Sequence, residues 1–229
     1  MMHLAPQVFI ATIRGRAVVL DLLQDKYLAL GPDLARAALA LLGETPTSAD
    51  DPVDLDAARA ALVAKGILSD APEHGPTRPI LVQPEPPATT LWPSKTRDEA
   101  AVARLTPAAF MAIMWALADT WIALRTLPFH RTIARVTRQK PRPPRASAIS
   151  EQGALDQFFA ARPWFPAKPI CRLDALALCR FLRRAGHPAD LVFGVKLEMF
   201  AAHCWVQCGE RVLNEPHEIA RRYAPIMVV

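Results

Sequence analysis

The sequence predicts an α+β fold in two domains, and three observations carry that expectation. Short Val/Ile/Leu/Tyr-rich runs open the chain, and two of them flank a tight Arg-Gly turn. Seven prolines between residues 71 and 95, among them Pro84, Pro86 and Pro87, then interrupt regular structure. The last third reads helix, strand, strand, strand, an order typical of α+β layouts. At 229 residues and 52% hydrophobic, the chain is large enough for two packed units.

In the first unit, VFIATI, AVVLDLL and KYLALG read as three antiparallel strands. Arg14-Gly15-Arg16 marks a hairpin between the first two, and Gln24-Asp25 a turn between the second and third. Gly31-Pro32-Asp33 stops the sheet, with Asp33 expected to cap a helix over ARAALALL. The polar stretch GETPTSADDP separates this from a second helix, Leu55 to Lys65, ended by Gly66 and closed by Ile67 and Leu68. Residues 1–72 therefore read as a small winged-helix-like domain, residues 73–104 as a Pro-rich linker, and residues 105–229 as a second domain.

The second domain opens with a helical block from Thr106 to Arg138, broken at Pro128. Its apolar run is interrupted by Asp119 and Arg125 and is too short to predict a membrane span. A Pro/Arg segment, KPRPPRAS, leads to a helix near Glu151–Ala161. PWFPAKPI is an extended lead-in to a helix from Cys171 to Ala185, which Gly186-His187-Pro188 ends. DLVFGVKL, AAHCWVQC and RVLNE follow as strands, with a turn at Gly209-Glu210.

The net charge of +5 is uneven. Residues 1–75 carry six Lys/Arg against ten Asp/Glu, net −4, which argues against DNA binding by the winged-helix-like part. Residues 95–148 carry ten against three, net +7, including Arg131, Arg135, Arg138, Lys140, Arg142 and Arg145. No aromatic residues interleave the charges from Arg131 to Arg145, so a solvated face is favoured over a nucleic-acid site. The opening MMHLAPQVF lacks the basic and apolar regions of a secretory signal, and all four cysteines fall after residue 170. Free thiols and a cytoplasmic setting are expected. No cofactor is expected, nor a metal, because Cys204 and Cys208 lie about 13 Å apart on one strand at ~3.3 Å per residue.

A helix N-terminus lowers a thiol's pKa through free N–H groups and the dipole, and Cys171 sits there, with Lys168 and Arg172 nearby. Cys179 falls mid-helix among leucines and reads as a buried hydrophobe. Along AAHCWVQC, His203, Trp205 and Gln207 share one face, and Cys204 and Cys208 are expected to point away from a site that His203 enters. A nucleophilic cysteine, a histidine base and a third group that orients the imidazole make a complete set. After His203, Asn214, Glu215, His217 and Glu218 are available, and a hairpin at Gly209 returns Leu213–Glu215 alongside His203. Trp205 reads as packing near the site, Tyr27 as core or peptide contact, and Met111 and Met114 as core.

The stretch from Cys171 to Glu215 resembles the leader peptidases, called B proteins, of lasso peptide biosynthesis. Cys171 opens the helix, and Leu182 to Gly186, Val192 to Val195 and Phe200 to Val206 match in order. The resemblance implies a transglutaminase-like or papain-like cysteine peptidase with Cys171 as nucleophile, His203 as base and a carboxylate twelve positions after the histidine. The family has Asp there; this chain has Glu215, with Asn214 as the alternative orienter. The N-terminal unit resembles the precursor-peptide recognition domains of peptide natural-product pathways, on Asp21, Tyr27, Leu30, Gly31-Pro32 and the closing KGIL. That implies capture of a leader peptide as an added strand, by Lys26, Tyr27, Leu28, Ala29 and Leu30 with Ala58, Leu62 and Lys65 of the following helix. The implied partners are the precursor peptide and an ATP-dependent macrolactam cyclase. Two rivals stand beside this reading: an acyl-transferring transglutaminase-like enzyme, and a non-catalytic leader-binding scaffold that recruits a partner enzyme.

Overall fold

The computed structural model describes residues 2–43, 54–70, 84–91, 105–139 and 149–229. The chain divides into two compact units. One comprises Met1–Gln83 with Val195–Ala201 and Ala224–Met227; the other comprises Pro84–Gly194, Ala202–Tyr223 and Val228–Val229.

In the first unit, β2 (Val8–Ile13), β3 (Arg16–Asp21) and β4 (Lys26–Leu30) form an antiparallel sheet in that order. Arg14 and Gly15 both take positive φ, 50° and 77°, which is the two-residue hairpin turn whose twist matches the strands. The next turn is held by Asp21, whose Oδ1 accepts from the N–H groups of Leu23 and Gln24 at 2.8 and 3.1 Å. α1 (Pro32–Leu41) starts with Gly31 as N-cap and Pro32 in its first turn, so Asp33 is not the cap expected of it. A proline preorganised for the first helical position moved the start upstream. α2 (Leu55–Ala64) is capped by Asp54, which accepts from Asp56 and Ala57, and Gly66 at φ 68° ends it. Two short strands add to this plan: β1 (His3–Leu4) pairs with β5 (Leu68–Ser69). Leu4, Val8, Ile10, Val19, Leu30 and Leu62 are among the buried residues that make one core. The GETPTSADDP stretch lies outside the described residues apart from its first glycine.

In the second unit, α3 (Pro107–Thr126) and α4 (Phe129–Thr137) flank the expected break at Pro128. α3 is the one helix among the described residues long and apolar enough to cross a membrane. It packs against α5 (Glu151–Ala161) and α6 (Cys171–Ala185), burying Ile113, Ala116, Leu117, Thr120 and Ala123. Met111 is exposed rather than core, because it sits on the face turned from those helices. α6 ends at Gly186 in the left-handed conformation, φ 95°. The KPRPPRAS segment, with Lys140, Arg142 and Arg145, lies outside the described residues.

The main sheet has the order β10-β7-β8-β9-β6. β7 (Asp190–Lys196), β8 (Ala201–Cys208) and β9 (Arg211–Val212) are the three expected strands, the last cut to two residues. β9 is short because Asn214 turns its side chain onto the ladder: its Oδ1 accepts from the N–H of Val206 at 2.8 Å. A short helix, α7 (His217–Ala220), follows, and then β10 (Ala224–Val228). β6 (Thr89–Thr90) comes from the stretch read as linker and pairs in parallel with β9. Its two β-branched threonines follow Pro84, Pro86 and Pro87, so no proline falls inside the ladder.

Candidate active site

Cys171 is the first residue of α6 and is solvent-exposed. The preceding Ile170 is extended and offers no side-chain cap, so no side chain competes for the helix's opening N–H groups. The chain reaches this point under the control of Arg162, an 8%-exposed arginine after α5. Its Nε donates to Asp174 Oδ1 at 2.6 Å, and its NH1 and NH2 donate to the carbonyls of Phe165 and Ala167 at 3.3 and 3.1 Å. One planar guanidinium therefore ties the lead-in segment to the first turn of the cysteine's helix. Nothing in the sequence distinguished Arg162 from a surface arginine, since only the fold brings its three partners together.

His203 lies on β8, with Trp205 stacked beside it at 6.3 Å between centroids and Tyr223 at 5.1 Å. Its Nε2 is 2.7 Å from Glu215 Oε2. Nε2–H donates to that carboxylate, which leaves Nδ1 to meet the Cys171 sulfur, and the sulfur hydrogen-bonds the ring. Glu215 therefore occupies the orienting position, its extra methylene notwithstanding, and Asn214 is excluded from it by its bond to the Val206 backbone.

Cys204 corrects the period-two reading. It is buried, and its thiol hydrogen-bonds Cys171 rather than pointing away from the site. Alternation places it on the opposite face of β8 from His203, yet the exposed end of α6 is in hydrogen-bond reach of both residues. The Cys204 and His203 hydrogen bonds, in that order, outweigh burial and bring the Cys171 thiol down to about 4. Lys168 and Arg172, expected to favour the anion, are not among the leading causes; the Arg172 guanidinium stacks over Phe129 at 3.8 Å. Burial opposes charge on His203, but its hydrogen bonds to Cys171 and Glu215 prevail and raise it to about 9. The neighbouring Cys171 thiolate, followed by burial, holds Cys204 well above an ordinary thiol, so it stays protonated and donates. The resting state at neutral pH is thus a thiolate–imidazolium pair.

Trp205 is fully buried and spends its Nε1–H on Gln207 Oε1 at 2.9 Å, which removes it as an oxyanion donor. Gln207 donates in turn to the carbonyls of Glu85 and Gly209. Cys179 is buried, its thiol donating to the Ala189 carbonyl at 3.5 Å, and burial pushes it up to about 11. It is the inert core thiol expected.

Cys171 at the start of α6, His203 on β8 and Glu215 after β9 therefore come together within the second unit. Residues 114–228 match the transglutaminase-like superfamily, and the match spans both Cys171 and Glu215. The chain belongs to it. No curated protein and no solved structure matches the chain. Superfamily membership is compatible with peptidase and acyl-transfer chemistry alike, both of which pass through a thioester on the cysteine.

The expected leader-binding residues divide. β4 is an edge of its sheet, and Lys26, Leu28 and Ala29 on it are exposed, as is Lys65 after α2. Leu30, Ala58 and Leu62 are 5%, 7% and 0% exposed and belong to the interior of the first unit, so their side chains are not presented on its surface. Leucine and alanine at helical spacing face the core here because α2 must bury one side. Leu55 and Val63, which are exposed on α2, are the apolar positions the sequence reading passed over. Tyr27 is half-buried, its ring edge-on to Phe200 of the same unit at 5.8 Å.

Proposed function

We propose that this protein is a cysteine peptidase that removes the leader from a ribosomally made lasso-type precursor peptide in the cytoplasm. The observation that carries the proposal is the Cys171–His203–Glu215 arrangement, with its thiolate poised next to an imidazolium. The leader adds as a strand on the β4 edge of that sheet, where Lys26, Leu28 and Ala29 are exposed. Capture raises the effective concentration of the scissile bond at the second unit. Cys171 Sγ attacks the scissile carbonyl, and the backbone N–H groups at the start of α6 receive the developing oxyanion. His203 gives its Nδ1 proton to the departing amine, and the core peptide leaves. His203, now neutral and held by Glu215, draws a proton from water, which attacks the thioester and releases the leader. The freed core then passes to an ATP-dependent macrolactam cyclase, the partner that the lasso resemblance implies.

The test is intact-mass analysis after mixing the protein with the precursor peptide encoded beside its gene, for wild type and Cys171→Ala. Leader and core fragments with wild type, and intact peptide bound by Cys171→Ala, are the expected results. Equal cutting by both proteins would remove Cys171 from the chemistry. An adduct on an added amine in place of free leader would make the protein an acyl transferase.

A further inference from the structure

A cleft of about 820 Å³ lies in the second unit between α3 and the segment that leads into α6. Ala118, Trp121 and Ile122 form one wall, Phe165 and Ile170 the other, and buried Leu173 lies at its base. Ile170 immediately precedes Cys171 and Leu173 shares its helical turn, so the cleft reaches the first turn of the nucleophile's helix. Single apolar side chains on a helix surface need no explanation. Here Ile122 and Ile170, 51% and 53% exposed, converge on one concavity from different elements. Met111 and Trp115, the other exposed apolar residues of α3, lie outside it.

Both walls are held in place before anything binds. Arg162 pins the lead-in through the Phe165 and Ala167 carbonyls and through Asp174. Arg125 lies over the Trp121 ring at 4.1 Å, fixing the indole against the cleft. A preformed apolar cavity of this size takes a ligand group at little ordering cost.

We propose that this cleft takes a bulky apolar side chain of the acyl substrate, next to the carbonyl that Cys171 attacks. The inference rests on the peptidase reading only for the identity of that substrate as a peptide. It names the specificity element: one position beside the cut carries a residue such as Leu, Phe or Trp.

The experiment compares the rates at which 2-chloroacetamide and N-(1-naphthylmethyl)-2-chloroacetamide alkylate Cys171. In each reaction the thiolate displaces chloride and forms one S–C bond, read by intact mass. Glutathione supplies the ratio for a thiol with no pocket. The wild type is expected to favour the naphthyl reagent by about tenfold or more over glutathione's ratio, the gain from burying an aromatic group. Ala118→Trp, which fills the cleft, and Ile122→Asn, at a half-exposed position that folding tolerates, are each expected to bring the ratio back towards that of glutathione. A wild-type ratio within twofold of glutathione's, or a preference that survives Ala118→Trp, overturns the assignment. Precursor cleavage is scored separately. A protein that cuts the precursor without the naphthyl preference loses the cleft alone. A protein with the preference that never cuts loses the peptidase reading and keeps the cleft as an acyl-side-chain site.

Discussion

Cys204→Ala is the perturbation that separates this site from a plain cysteine–histidine pair. The Cys204 thiol is the foremost influence holding Cys171 down at about 4, ahead of His203. A hydrogen bond to a charged group is worth about 1.5–3 kcal/mol, and a thiol, as a weak donor, belongs at the lower end. At about 1.4 kcal/mol per pH unit, losing it moves the Cys171 midpoint up by about one unit. The Cys204 backbone N–H still donates in the variant, which limits the shift. Cys204→Ser keeps a hydroxyl donor and is expected to keep a midpoint close to wild type. The assay is the rate of alkylation by iodoacetamide between pH 3 and 8, followed by intact mass and fitted to a single titration. An unchanged midpoint in Cys204→Ala, or the same rise in Ala and Ser variants, would refute the idea that the buried thiol acts as a donor.

Three other outcomes follow from the same geometry. Precursor cleavage is expected to rise as pH passes about 4, where the Cys171 thiolate forms, and to fall as pH passes about 9, where His203 loses the proton it gives the leaving amine; a profile rising only above pH 8 would contradict the ion pair. Gly194→Ala places a Cβ 2.8 Å from Trp205 Cζ3 and Tyr223 Cβ, the two rings that flank His203, and is expected to cost about 1–3 kcal/mol in urea unfolding, with reduced cleavage. Arg183, 6% exposed, donates to the carbonyls of Ala189, Val136 and Val229 at 2.8, 2.9 and 2.7 Å, so Arg183→Met removes three hydrogen bonds while each acceptor keeps a second donor (Cys179, Gln139 and Leu191), and it is expected to destabilise by about 2 kcal/mol, read by the same denaturant series.

Most elements were legible because local rules governed them. The Arg14-Gly15 hairpin, the Gly66 and Gly186 helix ends and the Pro128 break each rest on a residue with few conformational options. Cys171 and His203 were legible for a related reason: a thiol at a helix start and a histidine on a strand are chemically conspicuous. What escaped was set by distant partners. β1, β6 and β10 are short strands whose pairing comes from residues far along the chain, and two to five residues carry too little pattern to be seen alone. Cys204 was misplaced because strand alternation says which face a side chain takes, not what the end of a neighbouring helix can reach. Leu30, Ala58 and Leu62 were assigned to a peptide surface by resemblance, while the burial demands of a small domain drew them inward.

The central claim is that Cys171 carries the leader as a thioester. Acid quenching of wild type with excess precursor within the first turnover, followed by intact mass and peptide mapping, tests it directly. The account predicts an adduct equal to the leader less one water, confined to the α6 peptide that begins at Cys171, and gone after brief treatment with hydroxylamine. Free leader and core without any adduct in wild type, together with cleavage that persists in Cys171→Ala, would contradict it.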